Sequence, residues 1–126
     1  MSTIVRLGSS PRWSDVVIHA GVARWVEVAE DLTQNSRGQI EQVLRQIDAT
    51  LVQIGSDRTQ LLEIVIFLVD LADSPILNEV WDTWVPREHP PVRACVQETS
   101  RLRWSSRRGL ARRPAARFSV TARPRR

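Results

Sequence analysis

Cysteine is nearly absent from this chain: Cys95 is the only one among 126 residues. A single cysteine cannot close an internal disulfide, which fits a reducing compartment. A secretory signal is not expected either, because Met1 to Ser10 shows no basic stretch followed by an apolar one. The longest apolar run, around Ile64 to Val69, is far shorter than the roughly 20 residues that span a bilayer. Together these shortages predict a cytoplasmic protein. Two histidines and one cysteine at unrelated spacings fall below the usual ligand count of a metal site, so no metal is expected.

Lysine is missing altogether; all 18 basic residues are arginine. Their placement matters more than the overall net charge of +4. Residues 98–126 hold ten arginines against Glu98 alone, a net charge of +9. Residues 1–97 hold eight arginines against 13 carboxylates, a net charge of −5. An acidic body is therefore joined to a basic tail, and the pI near 11.1 belongs to the tail. Any inference to nucleic acid applies to the tail only.

The length is that of one domain, and the 42% apolar content can supply a core. Domains this small are marginal alone, so oligomerisation would help. Thr3–Leu7 and Trp13–His19 read as strands. Ala20-Gly21 reads as a tight turn into a third strand, Val22–Ala29. From Gln39 to Ile54, residues Ile40, Val43, Leu44, Ile47, Leu51 and Ile54 form one helical stripe. Gly55 stands where a left-handed cap ends such a helix. Leu61–Asp70 is nearly all apolar and predicts a strand buried on both faces. Ser74 as N-cap and Pro75 at the first position open a second helix, whose buried face is Ile76, Val80, Trp81 and Trp84. Pro86 stops it, and Val92–Gln97 is a further strand. The order β-β-β-α-β-α-β predicts an α+β domain with two helices on one face of a mixed sheet. The other sheet face then needs cover, which other subunits can provide. After Gln97 no sustained period is visible, and the composition favours disorder.

Several segments, taken in order, resemble one family: Arg12 to His19 (RWSDVVIH), Gln39, Ile47-Asp48, Gly55-Ser56-Asp57, Ile66 to Asp70 (IFLVD), Asn78, Trp81, Trp84 and Pro91 to Gln97 (PVRACVQ). They are similar to the Rid (reactive-intermediate deaminase, YjgF-like) family. The opening TIVR and the RWSDVVIH segment resemble its YoaB-type branch in particular. The resemblance covers about residues 3–97. It implies a chorismate-mutase-like β-α-β-β-α-β fold and a homotrimer whose helices face outward and whose sheets face an inner barrel. It also implies clefts between subunits. In them, reactive enamines and imines such as 2-aminoacrylate would be hydrolysed to 2-keto acids and ammonia, with no cofactor.

An amino-acid imine carries a carboxylate, which arginine grips in a bidentate manner. The resemblance places Arg93 at that task; from the residues alone it reads first as a rim salt bridge, since acids outnumber bases in the body. Cys95, two residues on, shares its sheet face and either lines the same cleft or fills core space. Asn78 either reaches the cleft or lies on the helix surface. Trp13 occupies a position where many members have tyrosine. It is either a stacking platform or a half-buried strand aromatic. Val26 stands where the family has a glycine at the end of the third strand, crowding a place of close approach. The glutamate that the family places on its final strand, beside the attacking water, has no match here.

That last departure shapes the reading of residues 98–126. The family's C-terminal strand is expected to be lost, leaving a domain at 1–97 and an Arg-rich tail, disordered or frame-shifted. Arg, Ala, Pro, Gly and Ser are what GC-rich codons encode in a shifted frame. A basic arm binding nucleic acid non-specifically through phosphates, or a neutral extension, are the alternatives. Loss of the strand would expose an edge and weaken the trimer. The functional expectation is an enamine/imine hydrolase, of full or impaired activity; a non-catalytic trimer binding small carboxylates is the alternative.

Overall fold

The computed structural model describes residues 3–98 and 114–125. Six strands form one mixed sheet and two helices cover one face of it, as the sequence predicts. The strands are β1 (Val5–Leu7), β2 (Val16–His19), β3 (Val22–Glu27), β4 (Leu61–Leu68), β5 (Val92–Gln97) and β6 (Ala116–Ala122). The helices are α1 (Ser36–Gln53) and α2 (Ser74–Trp84). The spatial order is β1-β2-β3-β6-β4-β5, with β4 and β5 parallel and every other pair antiparallel.

Local chemistry sets these boundaries. Ala20 (φ 51°) and Gly21 (φ 75°) both take positive φ, the turn that matches the twist of a two-residue hairpin, so β2 and β3 pair directly. Helix α1 starts earlier than its apolar stripe, because Asn35 caps it: its Oδ1 accepts the Gly38 N–H at 2.8 Å. Gly55 follows at φ 71°, closing α1 in the left-handed region as predicted. Helix α2 departs slightly from expectation. Asp73, not Ser74, is its N-cap residue, and Ser74 already lies inside the helix ahead of Pro75.

The core lies between the helices and one sheet face. Ile40, Val43, Leu44, Ile47 and Leu51 of α1 meet Ile64, Ile66 and Leu68 of β4, all at most 2% exposed. Strand β4 is not buried on both faces as its composition predicts. Its helix-facing residues are buried, while Val65 and Phe67 on the opposite face stay half-exposed. That opposite face remains open in a single chain, so the apolar run in β4 has cover on one side only.

The C-terminal strand is not lost. Residues 116–122 insert between β3 and β4 at the centre of the sheet. Ala116, Phe118, Val120 and Ala122 alternate inward, at most 4% exposed, while Arg117, Ser119 and Thr121 face the open side. A strict period of two was present in ARFSVTA, hidden by small alanines at its ends and by the surrounding arginines. The expected loss of this strand, and the open edge expected to follow from it, do not occur. The disorder expected after Gln97 is thus overturned for residues 116–122, while residues 99–113 lie outside the described residues.

Candidate functional site

Arg93 sits on β5, the edge strand, in register with Ile64 and hence on the helix-covered face of the sheet. Its guanidinium reaches up to α2. One Nη2 hydrogen is donated to Asn78 Oδ1 at 2.9 Å, and the guanidinium carbon lies 5.3 Å from the centre of the Trp81 ring. Asn78 and Trp81 are three residues apart on α2, so one helix face supplies both a hydrogen-bond acceptor and a π face. Neither partner neutralises the charge. Among the described residues no carboxylate pairs with Arg93. The rim salt bridge is thus not what the chain forms. The result is an oriented, exposed cation whose remaining N–H groups are available to an anion.

Cys95 shares that face, two residues along β5, in register with Ile66. Burial pushes its thiol pKa up, and Arg93 pulls it partly back. A raised thiol is a protonated, weakly polar wall at neutral pH rather than a nucleophile. Arg93, Cys95 and Asn78 are therefore brought together, with Trp81 as a fourth member that the sequence read as part of the buried face of the second helix. It is buried, at 6% exposed, and its ring centre also lies 5.3 Å from the Arg93 guanidinium carbon.

Trp13 and Val26 are not brought to this place within one chain. Val26 pairs with Ser119, which pairs with Val65, which pairs with Ala94. Three strand spacings, about 14 Å, separate it from β5, and it faces the open side of the sheet. It is 47% exposed. Trp13 lies in the β1–β2 connection, 40% exposed, its carbonyl accepting the Ser10 N–H at 2.7 Å. Both belong to the β1–β3 end of the sheet, whereas Arg93 belongs to the β5 edge.

The final strand carries no acid. Its open-face positions are Arg117, Ser119 and Thr121. Arg117 lies 4.0 Å over the Phe67 ring and 3.6 Å from Glu98, which follows β5. The carboxylate beside the last strand is thus held by an arginine on it. Another acid, Glu27 at the end of β3, is enclosed under α1. Gln46 Nε2 and the Thr50 hydroxyl donate to its two oxygens at 2.9 and 3.1 Å. Burial raises its pKa above the usual glutamate range, more than these donors lower it. It faces α1, not Arg93, and sequence reasoning placed no role on it. Groups of three or more metal-ligating side chains do not occur among the described residues. No helix among them is long and apolar enough to cross a membrane.

Known proteins share this fold and much of this sequence. The family model described as Endoribonuclease L-PSP matches residues 4–103. The RutC family protein YoaB of Escherichia coli K12 is 43% identical over 95 residues, 75% of this chain and 83% of the relative. A RutC family protein of Haemophilus influenzae is 41% identical over 97 residues, 75% of this chain and 84% of its own. The crystal structure of a YjgF-family member from Neisseria meningitidis superposes with a TM-score of 0.83 at 33% identity, covering 98% of this chain and 97% of the other. RidA from an Antarctic Psychrobacter shares the fold at a TM-score of 0.75 and 20% identity, over 91% of this chain and 90% of its own. The full-length structural matches include β6, consistent with its central place in the sheet. With the family model spanning most of the chain and relatives above 40% identity, this protein belongs to the Rid/YjgF-like (RutC) family, in its YoaB-type branch.

Proposed function

We propose that the protein hydrolyses enamine and imine intermediates derived from amino acids, giving a 2-keto acid and ammonia. The observation that carries this reading is Arg93: a guanidinium fixed by a neutral amide and an indole ring, with no carboxylate partner among the described residues. Such a group suits a bidentate grip on the substrate carboxylate, which holds the adjacent C=N carbon in a fixed place. An enamine such as 2-aminoacrylate first tautomerises to 2-iminopropionate. Water then adds to the C=N carbon, a proton moves to nitrogen, and collapse of the carbinolamine expels ammonia and leaves the ketone. Asn78 holds the guanidinium in place, and Cys95 lies on the same sheet face two residues along β5. Family membership supports the reading, since imine hydrolysis is a property within this family.

The site needs a second copy of the chain. Trp13 and Val26 join Arg93 only if the β1–β3 end of one subunit faces the β5 edge of another. The open sheet face, with Val26, Val65, Phe67 and Val96 each partly exposed, suits burial in a homotrimer of this kind. We place this assembly in the cytoplasm, on the single reduced cysteine.

A second reading has its own support. The open-face positions of β6 are Arg117, Ser119 and Thr121, without the acid that would handle the attacking water. A trimer that binds small carboxylates without turnover fits that composition. One experiment separates the two. Freshly generated 2-iminopropionate is supplied to the wild type and to Arg93→Ala, and ammonia and pyruvate are followed. Hydrolysis predicts a wild-type rate well above buffer and a loss of about 100-fold in kcat/KM for the variant, the scale of a lost charge-assisted bidentate contact. Equal rates in both remove Arg93 from the chemistry. A wild-type rate equal to buffer, with pyruvate binding that Arg93→Ala abolishes, establishes the binding reading instead.

A further inference from the structure

The Trp81 ring that carries Arg93 is itself carried. Trp84, three residues further along α2, lies with its ring centre 5.5 Å from that of Trp81 and its plane tilted by 47°. A second guanidinium, that of Arg58, stands 5.0 Å from the centre of the Trp84 ring. The contacts therefore run from cation to ring to ring to cation: Arg93, Trp81, Trp84, Arg58. Arg58 belongs to the short turn Arg58–Gln60 that leads into β4. Its Nε and Nη2 donate to the two oxygens of Asp48 on α1, both at 2.8 Å. Its Nη1 donates to the Trp84 carbonyl at 2.9 Å, and the Trp84 indole N–H donates to Asp48 at 3.2 Å. Trp84 is thus fixed at its ring face, its ring nitrogen and its carbonyl. Trp81 is fixed differently. Among the described residues its indole N–H has no hydrogen bond, and the last torsion of a tryptophan side chain is broad. The plane of Trp81 is therefore set by what packs on it, and Trp84 is its aromatic neighbour.

We propose that Arg58 is a positioning residue for Arg93. By gripping Trp84 against Asp48 it fixes the ring that sets the plane of Trp81, and that plane sets the angle at which Arg93 presents its remaining N–H groups. Stability alone does not account for the grip. The Arg58 and Asp48 side chains are 42% and 32% exposed, and an ion pair that exposed adds little. What the arrangement adds is order. A bidentate fork on a carboxylate, with a further donor left for a carbonyl, is a geometry that lysine does not offer. Asn78 holds Arg93 at one atom, Nη2. A single hydrogen bond leaves a guanidinium free to swing about it, and the Trp81 face removes that freedom. The consequence for carboxylate binding is a preorganised fork, and this consequence rests on the reading of Arg93 given above; the stack itself does not.

The test uses two variants of the full chain. Arg58→Lys keeps the charge and loses the fork; Asp48→Asn removes the charge of the acceptor at nearly equal volume. The control is Arg37→Gln, which opens another contact between α1 and α2, Arg37–Glu79 at 2.8 Å, without touching the stack. The Nε–H resonance of Arg93 is followed by heteronuclear NMR, and pyruvate is titrated into each protein. In the wild type the ring current of Trp81 should displace that resonance from the position of free arginine. In Arg58→Lys and Asp48→Asn it should return toward the free position with a lower heteronuclear NOE. Pyruvate should then bind about fivefold more weakly, the scale of coupling between residues in contact. Arg37→Gln should change neither readout. The proposal is overturned if the resonance and its NOE keep their wild-type values in both stack variants. It is equally overturned if Arg37→Gln moves them as far, because loosened helix docking would then suffice. Pyruvate that fails to bind the wild type, with the resonance responding as expected, sinks the carboxylate reading of Arg93 and leaves Arg58 as the residue that positions it.

Discussion

Asn78 and Glu27 show how a single uncharged or charged atom sets the behaviour of its neighbour. Asn78 leaves Arg93 cationic and unneutralised while holding it in place. Replacing Asn78 by Asp changes almost no volume but puts a carboxylate where the amide oxygen stood. The new acid would pair with Arg93 and compete with the substrate carboxylate. Asn78→Asp should therefore lower kcat/KM more than Asn78→Ala, which loses only the positioning contact and should cost about tenfold. Steady-state kinetics of the two variants checks this, and an aspartate variant as active as wild type would contradict it. Glu27 is the converse case, a carboxyl whose pKa burial raises. The folded protein then holds that proton more tightly than the unfolded chain. The stabilisation is full below the ordinary glutamate value, about pH 4.3, and declines as pH rises through the higher folded value. Glu27→Gln removes this dependence. Urea unfolding of wild type and variant between about pH 4 and 7 should show the wild type losing ground relative to the variant as pH increases.

Strand β6 is the element on which the fold turns. It alone joins β3 to β4 in the strand order, so the sheet has no continuous hydrogen-bonded path without it. Phe118, fully buried, sits at the middle of that join and packs between the sheet and α1. Phe118→Ala should destabilise the protein by about 3–5 kcal/mol, read as a lower midpoint in denaturant. A chain ending before residue 114 should fail to give a cooperative transition. Much of the remaining architecture was legible from residue spacing. The α1 stripe, the Gly55 cap, the Ala20-Gly21 turn and strand β5 all stand where their local chemistry requires. Strand β6 was not read, because only Phe118 and Val120, between two alanines and alternating with Arg, Ser and Thr, give a weak signal inside an arginine-rich stretch. Its partners lie 48 or more residues away, so nothing local fixes it.

At the scale of the whole molecule the open sheet face decides the outcome. Light scattering should report a particle of about three times the 14.4 kDa chain mass. Phe67→Glu, which sets a charge on that face beside Arg117, should shift the mass toward that of one chain while leaving far-UV ellipticity intact. An unchanged mass in the variant would place the subunit contact elsewhere.

The sequence by itself determined the class of fold and the family, and picked out Arg93 as a candidate, because helix stripes, caps and short motifs are local and leave their spacing in the chain. Only the tertiary structure decided that residues 116–122 complete the sheet, since strand pairing joins segments far apart in sequence. It also decided that Arg93 leans on Asn78 and Trp81 rather than on an acid, and that Trp13 and Val26 stand at the other end of the sheet. Those relations depend on strand order and on which face each residue takes, and neither is written in the spacing of any one segment.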